Sequence, residues 1–249
     1  MENILYSFAV IGSGGTGTYF LKEFSRYLSS GVHEEDIKLL LIYDGDIVEE
    51  KNLSRQAFCE DDIGLNKAST MAGVLNSAFD TQWEAIASYV TSVEDVASKM
   101  PSGSKRGGII NMPVIIGCVD NHACRLVLEE YFEQSENCIY FDSANEYTTG
   151  EVVLSYKFNG TVVSPLRSKL FPDLKKGSVD LRARTEMSCE ELNNVAPQHI
   201  ATNMRAGNIL LSEACSLLDR NPHPGLVTFD LDTMAQEYVP MDLRQKGAD

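Results

Sequence analysis

The chain is predicted to fold as an α/β protein: a mostly parallel sheet flanked by helices, with a mixed, antiparallel extension toward the C-terminus. Three observations predict this. Apolar runs alternate with helical patterns as far as Gly150, a glycine-rich turn joins the first run to the first helix, and Asn159-Gly160 splits two strand-like runs beyond that point. Alternating strand and helix signals mark parallel strands joined by crossover helices. An Asn-Gly pair between strands marks a tight antiparallel hairpin.

Ser7 to Ile11 is a short buried strand running into the glycine turn. Thr18 to Leu28 follows as a helix, with Tyr19, Phe20, Phe24, Tyr27 and Leu28 on one broad face. Lys38 to Tyr43 is the second strand and ends at Asp44. Asn66 to Phe79 reads as a helix, and Trp83 to Thr91 alternates like a strand. Residues 99 to 112 carry Pro101, Gly103, Gly107 and Gly108, and read as a breaker-rich loop. Pro113 to Val119 returns to a buried strand with Asp120 at its end, His122 to Phe132 is a helix, and Cys138 to Phe141 is a further strand.

Beyond Gly150 the pattern changes. Glu151 to Phe158 and Thr161 to Val163 form the hairpin, and residues 164 to 190 read as an extended crossover loop. Pro197 to Leu218 is a long helix, and Val227 to Val239 supplies one or two edge strands. Neither an internal repeat nor a linker is visible. The expectation is one domain over 1–249, with a nucleotide-binding half (1–150) and a second half (151–249) of sheet, crossover loop and helix.

Composition limits the function. The net charge is −15, from 36 acidic and 21 basic residues, which argues against bulk nucleic-acid binding and suits a basic partner. No apolar run is long enough to span a bilayer, and Met1-Glu2-Asn3 lacks the basic start of a signal peptide. The expected location is the cytoplasm, with no membrane and no nucleic-acid partner. The six cysteines include no C-x-x-C pair, so neither a paired-cysteine zinc site nor a disulfide framework is expected. Cys59, Cys118, Cys124, Cys138 and Cys215 read as small core or near-core residues.

Three groups of residues, and Asp120 after them, carry chemistry. Gly12-Ser13-Gly14-Gly15-Thr16-Gly17 satisfies G-x-G-x-x-G between a strand and a helix, a Rossmann-like arrangement that lets backbone approach a phosphate at a helix N-terminus. Alone it does not separate NAD, FAD and ATP. Asp44-Gly45-Asp46 ends the next strand, where an acid can bond ribose hydroxyls. Then come Asn52-Leu53-Ser54-Arg55-Gln56 and Gly64-Leu65-Asn66-Lys67-Ala68. Arg55 and Lys67 supply two cations that hydride transfer does not need but expulsion of pyrophosphate does. Asp120, at the carboxyl end of a parallel strand, lies where such sheets bind ligands; a carboxylate there suits Mg²⁺, and Asp120 could equally cap the helix after it.

In this order the motifs resemble the ubiquitin-activating enzyme superfamily in its ThiF/MoeB-like branch. The matching pieces are Gly12-x-Gly14-Gly15-x-Gly17, Asp44-x-Asp46, Asn52-Leu53-x-Arg55-Gln56, Gly64-x-x-Lys67-Ala68 and Cys118-Val119-Asp120-Asn121-x-x-x-Arg125, covering roughly residues 8 to 160. The resemblance implies ATP held by the glycine loop and Asp44, phosphate contacts from Asn52, Arg55 and Lys67, and Mg²⁺ at Asp120. Its substrate would be the C-terminal carboxylate of a small ubiquitin-like or sulfur-carrier protein ending in Gly-Gly, activated by adenylylation. It also implies a homodimer and a possible downstream conjugating protein. Some relatives use a cysteine in the region of Cys189 to form a thioester. Arg182 and Arg184 would favour that thiolate while Glu186, Glu190 and Glu191 oppose it, so nucleophile and inert thiol both stand. Gln198, Asn203 and Arg205 resemble a pattern of small bacterial members.

Two features depart from that branch. Its members often carry paired C-x-x-C zinc motifs, absent here, so no zinc is expected. Family dimers often lend an N-terminal arginine to the neighbouring site, and here the first strand starts within a few residues of Met1. Two other functions remain open: a nucleotide-binding scaffold without activity, and adenylation of a non-protein carboxylate. A plain oxidoreductase leaves Arg55 and Lys67 unexplained.

Overall fold

The computed structural model describes residues 3–172 and 199–243. Strand β1 (Asn3–Ile11) lies at the centre of the parallel part of a single sheet, parallel to β2 (Ile37–Tyr43) on one side and to β5 (Ile109–Gly117) on the other. β3 (Trp83–Ile86) extends the β2 side in parallel, and β6 (Cys138–Asn145) the β5 side. From β6 onward the pairing turns antiparallel through β7 (Thr149–Phe158), β9 (Gly225–Asp230) and β10 (Ala235–Pro240). The order is β10-β9-β7-β6-β5-β1-β2-β3, with two-residue strands β4 (Lys105–Arg106) on β5 and β8 (Thr161–Val162) on β7.

Both faces of the parallel part are covered, as its β–α connections require. β1 directs Phe8 and Val10 to one face, where α1 (Gly15–Leu28), α2 (Lys67–Phe79) and the long α6 (Ile200–Leu218) bring Phe20, Phe24, Met71, Leu75 and Leu210. Ala9 and Ile11 point to the other, against α3 (Val93–Ala97) and α4 (His122–Gln134) through Val96, Leu128 and Phe132. Phe24 is the hub of the first layer, 4.9 Å from Phe8 and 5.1 Å from Phe20 between ring centres. Truncation of such a fully buried ring costs about 3–5 kcal/mol. Gly207 lets α6 close on α1: a Cβ there would lie 3.2 Å from the Thr16 carbonyl oxygen.

The structure corrects four expectations of detail. Residues 99–112 are not all loop, because Gly107 (φ 59°) and Gly108 (φ 83°) form the turn of a hairpin between β4 and β5. The strand expected from Trp83 to Thr91 stops at Ile86. Thr91 and Ser92 instead donate their N–H groups to the Asp95 carboxylate, which opens α3. The segment after Val163 contains a helical turn, α5 (Arg167–Leu170), rather than extended chain alone. The long helix begins at Ile200, with His199 Nδ1 accepting from the Ala201 N–H. The Asn159-Gly160 turn (φ 49° and 74°) is found as expected, and of the two C-terminal strands only β10 lies at the edge, β9 being paired on both sides.

Candidate functional site

The chain leaves β1 toward β2 on one side and reaches β5 on the other, so a crevice opens between the carboxyl ends of β1 and β5. In open α/β sheets this is where ligands bind. The glycine turn fills its floor. Gly12 has φ 94°, and a Cβ on it would meet the Cys118 carbonyl oxygen at 2.7 Å. A Cβ on Gly17 would lie 2.0 Å from the Gly12 carbonyl oxygen, and one on Gly15 2.1 Å from Asn203 Nδ2 of α6. Gly14 is different, since its added carbon meets only Gln56 Nε2 at 3.8 Å. Gly14 caps α1 without a side-chain bond, and the first turn carries no acidic residue. That helix end therefore offers backbone N–H groups and the positive end of its dipole to an anion.

Asp44 follows β2 and is buried. One carboxylate oxygen accepts from the Ser13 N–H at 2.7 Å and the Ser13 hydroxyl at 2.8 Å, and the other accepts from the Asp46 N–H at 2.9 Å. Burial pushes its pKa above the ordinary carboxyl value, and the N–H groups of Asp46 and Ser13, with the Lys67 charge, offset only part of that rise. Asn66 secures the same turn. Its amide donates to the Asp44 and Asp46 carbonyls at 2.8 and 3.0 Å, while its oxygen caps α2 through the Ser69 N–H.

Lys67 opens α2 and is buried, its ammonium 3.0 Å from Asp46 Oδ2. Asp46 also accepts from the Tyr89 hydroxyl, whose ring lies against Gly45. Burial works to raise the Asp46 pKa, but the Tyr89 hydroxyl and the Lys67 ammonium outweigh it and hold the pKa below the ordinary value. Lys67 is thus fixed in place by a carboxylate, and a phosphate would share it with Asp46.

Of the Asn52–Gln56 motif, Gln56 approaches the glycine turn and Arg55 is half-buried. Asn52 is buried, and its side-chain oxygen accepts from the Glu49 N–H to close a 3-10 turn over Glu50–Asn52. This gives Asn52 a turn-closing role and leaves phosphate contact by it a proposal.

Across the crevice, Val119 packs near Gly12, and Asp120 and Asn121 are exposed beyond it. The capping role that the sequence offered Asp120 belongs instead to Asn121, whose oxygen accepts from the Cys124 N–H at 2.8 Å. Asp120 is exposed, three residues past the end of β5, and its carboxylate is of the kind that Mg²⁺ takes alongside phosphate oxygens.

The structure therefore brings together the glycine turn, Asp44, Asp46, Lys67, Gln56 and the Val119–Asn121 turn. Cys189, with Arg182, Arg184 and Gln198, lies outside the described residues. Cys124 and Cys138 are buried, and Cys118 and Cys215 partly so; burial pushes the Cys118 and Cys124 thiols up to about 12 and that of Cys215 to about 11. Cys59 is a correction. It is exposed, in a surface turn where its N–H bonds Asp62, and not part of the core.

Sequence reasoning missed Ser13 as the partner of Asp44, Asn66 as the tie across the acidic turn, and Tyr89 on Asp46. Only Asn66 had a readable signal, its position three residues before the Ser69 it caps. It also assigned no role to Arg125, Asp142 or Arg167, which are all buried.

The ThiF family model matches residues 5–247. The chain is 28% identical over 129 residues to ubiquitin-like modifier-activating enzyme 5 of Oryza sativa subsp. japonica, covering 50% of this chain and 29% of the relative. It is 29% identical over 146 residues to the protein of that name from Drosophila melanogaster, covering 57% and 34%. Against the SAMP-activating enzyme E1 of Haloferax volcanii it is 28% identical over 123 residues, covering 49% and 39%. The chain thus spans about a third of the length of these curated relatives. Among solved structures, E. coli MccB with succinimide superposes at a TM-score of 0.65 with 16% identity, covering 95% of this chain and 64% of that one. MccB with ATP gives 0.63 and 14%, with the same coverage. These likenesses establish the mixed sheet and its flanking helices as a shared fold.

Proposed function

The chain belongs to the ThiF family, and from that premise we propose that it adenylylates the C-terminal carboxylate of a small ubiquitin-like or sulfur-carrier protein, using ATP and releasing pyrophosphate. One arrangement carries the reading: a glycine turn after β1, in which a Cβ on Gly12, Gly15 or Gly17 would clash, leads into a helix N-terminus with no side-chain cap, with a buried lysine paired to the acid after β2 and an exposed aspartate after β5. The names of the relatives and an MccB structure containing ATP support it.

In this reading the glycine turn and the first N–H groups of α1 hold the triphosphate, and Asp44 receives the ribose. Lys67 and Arg55 offset charge on the phosphates as it moves toward the leaving group. Asp120 would hold Mg²⁺, which adds charge neutralisation across the phosphate oxygens. A carboxylate is already ionised at neutral pH, so no general base is required. One carboxylate oxygen of the carrier bonds to the α-phosphorus, the bond from that phosphorus to the bridging oxygen breaks, and pyrophosphate departs with the electron pair. The protein's task is alignment.

The carrier, a homodimer and a downstream conjugating protein are part of the same proposal, as is a cytoplasmic location. Among the described residues, no helix is long and apolar enough to cross a membrane. The test is the site of cleavage. With the carrier present, ATP labelled at the α-phosphate should pass its label to the carrier as an acyl-adenylate that gives AMP on hydrolysis, with release of pyrophosphate, and both Lys67→Ala and Asp120→Ala should lower the yield by about two to three orders of magnitude. Release of ADP and phosphate would sink the reading.

A further inference from the structure

Behind the crevice the protein buries a group of charges that the proposed chemistry does not use. Asp142, on β6, is 1% exposed and is held between two guanidinium groups. Arg125 of α4 donates from Nε to one carboxylate oxygen at 3.0 Å, and Arg167 of α5 donates from Nε to the other. The arginines are 6% and 3% exposed. Replacing such a group with apolar side chains of equal volume is often neutral or stabilising, so stability alone does not account for it.

The remaining donors show what it holds. Arg125 Nη2 donates to the Val119 carbonyl at 2.6 Å and to the Ser143 carbonyl at 2.8 Å. Val119 is the residue directly before Asp120. The Ser143 hydroxyl donates to the Gly117 carbonyl at 3.2 Å, so the turn is gripped on both sides of Cys118. Arg167 Nη2 donates to the Asp142 carbonyl at 2.9 Å and Nη1 to the Glu151 carboxylate, while the Ser168 N–H donates to Glu129 at 2.8 Å. The bonds made by Arg125 and Arg167 use the fixed fork of a guanidinium, which an ammonium cannot reproduce.

We propose that Arg125 and Arg167 are positioning residues, a two-armed clasp on Asp142 that sets the placement of Asp120 and ties it to α5. The inference rests on the role proposed for Asp120. It goes further in making that role depend on a residue more than forty positions away in the chain, on a different helix.

Arg125→Lys and Arg167→Lys keep the charge and lose the fork. Two measurements decide, each judged against circular dichroism melting to show that the variant is folded. The first is hydrogen exchange in the nucleotide-free protein, read on the peptide spanning 117–124, whose Cys118 and Cys124 amides are hydrogen-bonded. Exchange there should accelerate about tenfold in each variant while β1 and β2 stay as in the parent. The second is calorimetric affinity for the non-hydrolysable analogue AMP-CPP, with Mg²⁺ and with EDTA. The gain conferred by Mg²⁺ should shrink about tenfold or more in each variant, as expected when the support of a metal-binding carboxylate is loosened, with the EDTA affinity nearly unchanged. A lowered melting temperature with unchanged exchange at 117–124 and an unchanged Mg²⁺ gain would overturn the clasp and leave a purely structural ion pair. A parent protein that fails to bind AMP-CPP at all would instead count against the proposed function, and the exchange measurement would still decide the clasp.

Discussion

Ser13 and Asp44 meet through two hydrogen bonds to a single carboxylate oxygen, 2.7 Å from the Ser13 nitrogen and 2.8 Å from its hydroxyl. This contact pins the glycine turn after β1 to the acid after β2. The backbone proposed to hold phosphate and the acid proposed to hold ribose are thereby set at a fixed separation.

Because burial raises the Asp44 pKa, nucleotide affinity should fall on acidification at a pH above the ordinary carboxyl range. The sign for stability is the reverse: a raised folded-state pKa favours the protonated form, so its contribution is present at low pH and is lost as pH rises through the folded value. Titrating AMP-CPP affinity from pH 8 to 4 checks this, and Asp44→Asn should flatten the acid limb. Ser13→Ala should cost about 1.5–3 kcal/mol, the range for hydrogen bonds to charged groups, by denaturant melts.

Asp46 should behave in the opposite sense. Its pKa is held below the ordinary value despite burial, through Tyr89 and Lys67. The stabilisation is therefore fully present above the ordinary carboxyl pKa and disappears only as pH falls through the lower folded value. The melting-temperature gap between the parent protein and Asp46→Asn should stay level from pH 8 to 5 and close in stronger acid. A gap that closes near neutrality would remove the Lys67 pairing as its source.

The two glycines Gly14 and Gly17 should respond unequally. Gly17→Ala places a carbon 2.0 Å from the Gly12 carbonyl oxygen and must displace backbone, so a loss of about 3 kcal/mol or more is expected. Gly14→Ala meets nothing closer than 3.8 Å and should stay within about 0.5 kcal/mol in urea melts. Equal losses would mean that the turn is not packed as described.

Much of the fold was legible because its signals are local. The β1–turn–α1 unit, the acid after β2 and the Asn159-Gly160 hairpin each rest on a handful of adjacent residues. The β4–β5 hairpin was hidden because Gly107-Gly108 reads equally as a loop. What escaped at the site is long-range: Ser13 reaches Asp44 across 31 positions, Tyr89 reaches Asp46 across 43, and Arg167 reaches Asp142 across 25. Periodicity carries no record of such pairings. Cys59 was misplaced because cysteine is so often buried, whereas here it opens a turn of three acids, Glu60 to Asp62.

A covalent step, if one follows adenylylation, should separate the cysteines. Burial raises the Cys118, Cys124, Cys138 and Cys215 thiols above their ordinary range; the proposed nucleophile is Cys189, with exposed Cys59 as its control. A carrier adduct released by dithiothreitol should vanish in Cys189→Ala and persist in Cys59→Ser. Persistence in Cys189→Ala would remove that residue from the mechanism.

The most direct test is exchange of labelled pyrophosphate into ATP in the presence of a small protein ending in Gly-Gly. Exchange should require the free terminal carboxylate, stop when that terminus is amidated, and be lost in Lys67→Ala. Exchange indifferent to the carrier, or none while a nicotinamide or flavin nucleotide binds in the crevice, would contradict the proposed adenylylation.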